Sequence, residues 1–284
     1  MTSSETSSQL SLQEAADLLG VHYMTIYRRV RLGVLPARKV DGTWWVDRAD
    51  LERATTPAAR GRRRRGTAQP RASMWQQRLQ ERMLRGDIAG SWQVVEAAMT
   101  SGFDPGEIYV GLLAPSLHAI GTAWRSGVVS VDQEHLASSV AATLIGRLGP
   151  RFVHRGRKKG VVIVAMPPGE RHGLGVAMLS DILADAGYAV LNLGPDTPTA
   201  SLVAAMREAG RLAAVIVSVV DADRRPAARR LLAAARRERP PVPLLVGGNA
   251  VPGEGVALDL GADVWVADPR RLGDVIEALR ARAG

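Results

Sequence analysis

The chain has 284 residues, enough for two or three domains with cores of their own, and its apolar runs fall well short of the roughly 20 residues that span a bilayer. It contains no cysteine, which excludes disulfides, thiolate catalysis and cysteine-held zinc. The net charge of +9 is uneven: residues 1–72 carry 13 Lys/Arg against 7 Asp/Glu, so +6 of it lies in a quarter of the chain. A polyanion partner is expected there. Arg224, Arg225, Arg229, Arg230, Arg236 and Arg237 on a later helix indicate that a general arginine bias contributes as well. Met1 to Gln9 is polar, with neither the basic nor the apolar region of a secretory signal, so a cytoplasmic location without membrane association is expected.

Ser11 can N-cap a first helix, with Glu14 completing a capping box and Gly20 ending it. A second short helix spans His22 to Leu32, with Ile26 and Val30 facing inward. Two short helices joined through Gly20-Val21 form a helix-turn-helix. Asp41-Gly42 between Ala37–Val40 and Thr43–Val46 is a two-residue hairpin signal, and Asp47-Arg48-Ala49-Asp50-Leu51 starts another helix. This ordered set resembles the winged helix-turn-helix of the MerR and excisionase families. The resemblance implies double-stranded DNA as partner, with Tyr23, Thr25, Tyr27 and Arg28 facing it and Arg38 and Lys39 on the wing. One small module implies binding as a dimer or higher oligomer to repeated half-sites. A purely structural three-helix module is the alternative.

Residues 56–73 read as an Arg-rich linker, broken by Pro57, Gly61, Gly66 and Pro70 around Arg62–Arg65. From Met74 onward, apolar residues recur at helical spacing in four segments, the third entered through Asp104-Pro105 as N-cap and first helical residue. Four such helices with short connections predict a four-helix bundle over 74–156. Trp124 and Glu134-His135 fall near the facing ends of the third and fourth helices, where they can meet over a flat ligand. Taken by themselves they are explained more simply as a core tryptophan beside a helix-start carboxylate.

After Lys158-Lys159 strands and helices alternate. Five strand candidates (160–166, 188–193, 212–220, 242–246 and 263–267), each followed by a helix, predict a doubly wound parallel sheet, flavodoxin-like or Rossmann-like, over 157–284. Its carboxyl edge, where such sheets bind ligands, would gather His172, Asp196-Thr197, Ser218, Asp221 and Gly247-Gly248-Asn249. In Glu170-Arg171-His172-Gly173-Leu174-Gly175 the glutamate can hold one imidazole nitrogen while the other faces a metal. The whole is a multidomain α/β protein.

Glu170, His172 and Gly175, then Ser218-Val219-Val220, then Gly247-Gly248 resemble the cobalamin-binding module of methionine synthase and of corrinoid proteins, which stands behind a four-helix cap. The resemblance implies His172 as the cobalt ligand in place of the dimethylbenzimidazole base. It implies a slot for that displaced base beside Gly247 and Gly248, with Ser218 reaching its nitrogen. Val220 departs from the family's leucine.

With the N-terminal module, the order resembles the CarH/LitR family of light-dependent repressors, which use adenosylcobalamin as chromophore. That family places Trp-x9-Glu-His over the upper corrin face, and Trp124, Glu134 and His135 match the spacing. The resemblance implies a homodimer or homotetramer whose DNA binding ends when light cleaves the cobalt–carbon bond. Arg125 stands where a histidine ligates cobalt after photolysis; arginine cannot do so, leaving His135 or His118 as candidates in the helical segment. The expected function is a non-enzymatic, cobalamin-binding transcriptional regulator. The alternatives are a corrinoid carrier serving methyltransferases and a regulator of another flat ligand.

Overall fold

Ser11 accepts a hydrogen bond from the Glu14 amide, and Glu14 answers with an oxygen 2.8 Å from the Ser11 amide, so the first helix begins where the capping box places it. The computed structural model describes residues 9–19, 21, 23–31, 35–40, 42–55, 73–238 and 242–283. His22, Asp41, residues 56–72 of the expected linker, and the side chains of Thr25 and Arg28 lie outside that description. Met1–Met74 and Trp75–Gly284 form two compact units.

In the first unit, β1 (Gln9–Ser11), α1 (Leu12–Leu18), α2 (Tyr23–Arg31), β2 (Ala37–Val40), β3 (Thr43–Asp47) and α3 (Arg48–Thr55) follow in order. Val40 pairs with Thr43, a register that leaves two residues for the turn, and Gly42 takes φ +83° there. The three residues of β1 add a strand on the other side of β3, Gln9 opposite Asp47. The sequence reading contains no such strand, because three residues are too short for a period-2 pattern. Leu12, Ala15, Ile26, Val30, Leu35, Val46 and Leu51 close the core.

The second unit starts within α4 (73–84) and continues with α5 (Ile88–Thr100), α6 (Pro105–Ile108), α7 (Ala114–Arg125) and α8 (Val131–Leu148). Asp104 caps α6 with Pro105 in the first turn, as the sequence predicts, and Glu107 at N3 completes a capping box. The single third helix expected there is instead interrupted, since Tyr109–Leu113 is one turn of π-helix between α6 and α7. Leu79, Val95, Leu112, Leu113, Val140 and Leu144 share one core, and Met178 and Ile182 of the following domain belong to it too.

The remainder is β4 (Val161–Ala165), α9 (Leu174–Asp185), β5 (Ala189–Gly194), α10 (Thr199–Glu208), β6 (Leu212–Ser218), α11 (Arg225–Glu238), β7 (Leu244–Gly247), α12 (Glu254–Leu260) and α13 (Leu272–Ala283). The sheet order is β5-β4-β6-β7, every neighbour parallel. Successive residues of β4 face opposite ways. Val162 and Val164 pack with Val176, Leu272 and Ile276, whereas Ile163 and Ala165 pack with Leu202, Leu231 and Leu260. Helices therefore cover both faces, which makes the sheet Rossmann-like and doubly wound. The fifth strand is reduced to one bridge, Leu245 with Val264. Val264 to Ala267 is apolar, as expected of a strand, but among the described residues it pairs with β7 through that bridge alone, and Pro269 follows two residues later.

Candidate functional site

Because β4 is central, the loop at its carboxyl end lies between the loops that follow β5 and β6. Glu170 on that loop is 1% exposed. One of its oxygens accepts from the backbone amides of Val220 and Asp221, both at 2.9 Å, just beyond β6. The other accepts from the Arg171 amide at 3.1 Å and makes a short hydrogen bond to Nδ1 of His172. A carboxylate only accepts, so Nδ1 donates, and in the neutral ring the lone pair is then on Nε2. The His172 side chain is 58% exposed, so that nitrogen is held in a fixed ring but left accessible. Burial pushes the Glu170 carboxyl upward, but the His172 and backbone donors outweigh it and hold the group below its ordinary value.

At the end of β6, Ser218 is nearly buried and stands opposite Gly247 of β7. The two glycines differ in what they require. Gly248 takes φ +98°, and a Cβ there would lie 2.3 Å from the Val219 carbonyl oxygen, so only glycine fits. A Cβ at Gly247 would meet nothing within 4 Å, nor would one at Gly175. The backbone at those positions borders open space. Val220 presents its amide to Glu170 while its side chain packs, half-buried, beneath the sheet edge.

Among the described residues no three His, Cys, Asp or Glu gather as a metal-ion site. A corrin already surrounds cobalt with four nitrogens, so a single protein imidazole suffices for it. A lone histidine oriented by a buried carboxylate, with unobstructed glycine backbone along the same edge, fits that group. A cleft of about 490 Å³ lies elsewhere, lined by Asp104, Arg151, Asp185 and Arg270 among others, and includes none of these residues.

On the helical side, Trp124 lies in the last turn of α7 and is 42% exposed. Glu134 accepts from the Ser138 hydroxyl at 2.7 Å and stands 3.8 Å from His135, whose side chain is 74% exposed. Among the described residues no hydrogen bond joins Trp124 to Glu134 or His135; the three share one end of the helical segment without forming a closed cluster. Arg125 contacts Thr122 at 3.2 Å. His118, one stripe along α7, meets Asn249 of the loop after β7 at 3.2 Å, a contact that brings the helical segment to the sheet's carboxyl edge and that spacing did not foretell.

In the N-terminal unit Tyr23 and Tyr27 stack with ring centroids 6.2 Å apart, Tyr23 partly exposed. Arg38 and Lys39 are exposed on β2, and the Lys39 ammonium lies 6.0 Å from the Trp44 ring centroid. Two short helices followed by a hairpin with a cationic outer strand make a surface suited to duplex phosphates.

Comparison with known proteins finds three family matches along the chain. Residues 10–55 match a family described as a helix-turn-helix domain, and residues 75–148 and 160–271 match two families, each described as a B12 binding domain. Among curated relatives, monomethylamine corrinoid protein 2 of Methanosarcina acetivorans is 22% identical over 45% of this chain and 60% of its own length. A corrinoid protein of Desulfitobacterium hafniense is 23% identical over 46% of this chain and 63% of its own. The chain thus spans under two thirds of either relative. The solved monomethylamine corrinoid protein of Methanosarcina barkeri superposes with a TM-score of 0.61 at 18% identity, covering 72% of this chain and 96% of that one. That likeness shows the fold of the second unit.

Proposed function

We propose that this chain is a cobalamin-responsive transcriptional regulator, with adenosylcobalamin as its effector and light as a signal. The observation that carries the reading is the Glu170–His172 pair at the sheet edge in a chain that also holds a helix-turn-helix module. When bound, adenosylcobalamin supplies a light-labile cobalt–carbon bond. The chain's own residues would hold it: His172 through Nε2, the backbone of Gly247 and Gly248 and the Ser218 hydroxyl along the tail, and Trp124, Glu134 and His135 from the helical segment acting as a cap. Tyr23, Thr25, Tyr27, Arg28, Arg38 and Lys39 would face DNA.

Each ligand form shifts assembly only by binding one arrangement of subunits better than another. Trp124 and His135 are exposed in the protein alone, so they are available for such differential contact. Arg125 supplies no lone pair, and the light product should therefore be loosely held. Gel filtration and DNA binding of the full chain with adenosylcobalamin, in darkness and after green light, test the proposal. A larger DNA-binding species in the dark that becomes smaller on illumination is expected. Identical elution would remove light control, and DNA binding indifferent to cobalamin would remove the regulator itself.

A second reading, a corrinoid carrier in a methyltransferase system, is favoured by the names of the relatives. It assigns no task to residues 9–55. A chain that binds cobalamin but shows no affinity for duplex DNA would support it.

A further inference from the structure

We infer that Asp196 is the positioning residue of the His172 loop: from across the sheet edge it fixes the turn at Gly169, so that Glu170 and His172 are aligned in the protein alone, before any corrin arrives. The functional meaning of this alignment rests on His172 as the cobalt ligand proposed above; the alignment itself does not.

Asp196 is, among the described residues, the one non-glycine with a positive φ, +53°. Most side chains avoid that region, aspartate and asparagine being the common exceptions. Residues held there persist where their surroundings over-determine them, and such positions gather at ligand sites. Here the surroundings are specific. One side-chain oxygen of Asp196 accepts from the Gly169 amide at 2.7 Å, and its own amide donates to the Glu170 carbonyl at 2.9 Å. The residue thus grips two consecutive positions of the loop that carries His172. Both bonds are made with the backbone of Asp196 in the left-handed region.

Neighbouring features complete the clamp. Thr197, 2% exposed, donates its amide to the Met166 carbonyl at 2.9 Å and its hydroxyl to the Gly194 carbonyl at 2.9 Å. The start of the loop is therefore sewn to the end of β5. The loop itself folds as a turn, with the Glu170 amide on the Pro167 carbonyl at 3.0 Å and Gly169 at φ +85°. A Cβ on Gly169 would meet the Arg224 guanidinium at 2.7 Å, so the arginine packs against this turn. Glu170 then leaves this turn with its carboxylate directed at β6 and its oxygen on His172. An exposed aspartate with no partner would be satisfied by water and would relax to an ordinary backbone; this one is held in place by the loop it orders.

Three variants separate the two contributions. Asp196→Asn keeps both the left-handed tolerance and a side-chain acceptor, Asp196→Gly keeps only the first, and Asp196→Ala keeps neither. The first readout is hydrogen exchange of the Gly169 amide in the ligand-free full chain. Asp196→Gly and Asp196→Ala should accelerate it about tenfold relative to the β4 amides, the worth of one lost hydrogen bond, while Asp196→Asn restores the slow rate. The second readout is the electron spin resonance of added cob(II)alamin with 15N-histidine-labelled protein. The histidine-derived splitting should be present in the parent and in Asp196→Asn, and diminished in the other two together with an affinity loss of about ten- to a hundredfold. Unchanged Gly169 protection in both Asp196→Gly and Asp196→Ala overturns the inference. Should the parent protein itself show no histidine splitting, the ligand reading fails, and the amide exchange alone still decides whether Asp196 presets the loop. Asp196→Gly keeps the test intact if Asp196→Ala does not fold.

Discussion

The Tyr109 hydroxyl donates to the Asp181 carboxylate at 2.6 Å, joining the π-helical turn of the helical segment to the middle of α9. Tyr109 is 1% exposed and stacks on Phe152 with ring centroids 4.9 Å apart. Because α9 follows directly from the His172 loop, this bond and the shared core around Met178 and Ile182 make the helical segment and the candidate site one mechanical unit. Tyr109 is the first residue of that π turn.

Removing that hydroxyl leaves a half-buried carboxylate without its donor. Tyr109→Phe should destabilise the second unit by about 1–3 kcal/mol in urea titrations at neutral pH. Burial already raises the Asp181 carboxyl above its ordinary 3.8, with Tyr109 opposing the rise. Without the phenol it climbs further. A raised carboxyl costs stability as pH increases through the window from 3.8 to its folded value, so the variant should lose less near pH 4 than at pH 7. An equal loss at both would show that the hydroxyl serves packing alone.

Glu170 carries the opposite sign. Its folded value lies below the ordinary 4.5, so the unfolded chain binds the proton first as pH falls. Its contribution is complete above 4.5 and disappears as pH drops through the folded value. Glu170→Gln should flatten the acid limb of the stability profile and, at neutral pH, weaken binding of hydroxocobalamin by about ten- to a hundredfold through the loss of His172 orientation. Denaturation between about pH 3 and 7, with absorbance titrations alongside, checks both.

Gly248→Ala should be the most damaging small substitution at this edge. It would place a Cβ 2.3 Å from the Val219 carbonyl oxygen at φ +98°. Strain and displacement together should cost about 2–4 kcal/mol, whereas Gly247→Ala, with nothing within 4 Å, should leave stability within about 1 kcal/mol. If cobalamin uses the open space, Gly247→Ala should weaken its binding without shifting the denaturation midpoint. Thermal melts and cobalamin titrations of the two variants distinguish the roles.

In the N-terminal unit, Lys39→Glu should weaken duplex binding at every sequence and lower the slope of log affinity against log salt by about one, as expected for one lost phosphate contact. An unchanged slope would place Lys39 away from the DNA and leave it stacked on Trp44.

Much of this molecule was legible in its residues wherever the controlling physics is local. Ser11 with Glu14 and Asp104-Pro105 with Glu107 mark helix starts, because a capping box is built within four residues. Gly42 marks the hairpin, and the apolar run of Val161–Ala165 marks a strand covered on both faces. The Glu170–His172 pairing is local as well, since two residues of spacing bring carboxylate and imidazole together. What the chain could not disclose is what depends on partners remote in sequence. The three-residue β1 exists only because β3 offers it an edge, and the apolar segment after α12 pairs with β7 through one bridge, which its periodicity did not report. The second Glu170 oxygen finds Val220 and Asp221 fifty residues away, Asp196 reaches back to Gly169, and Tyr109 meets Asp181 across 72 residues. Sequence periodicity reports which face of an element is apolar, but not which distant polar group will be buried against it; that choice is made by the packing of whole elements, and the alignment of the site depends on it.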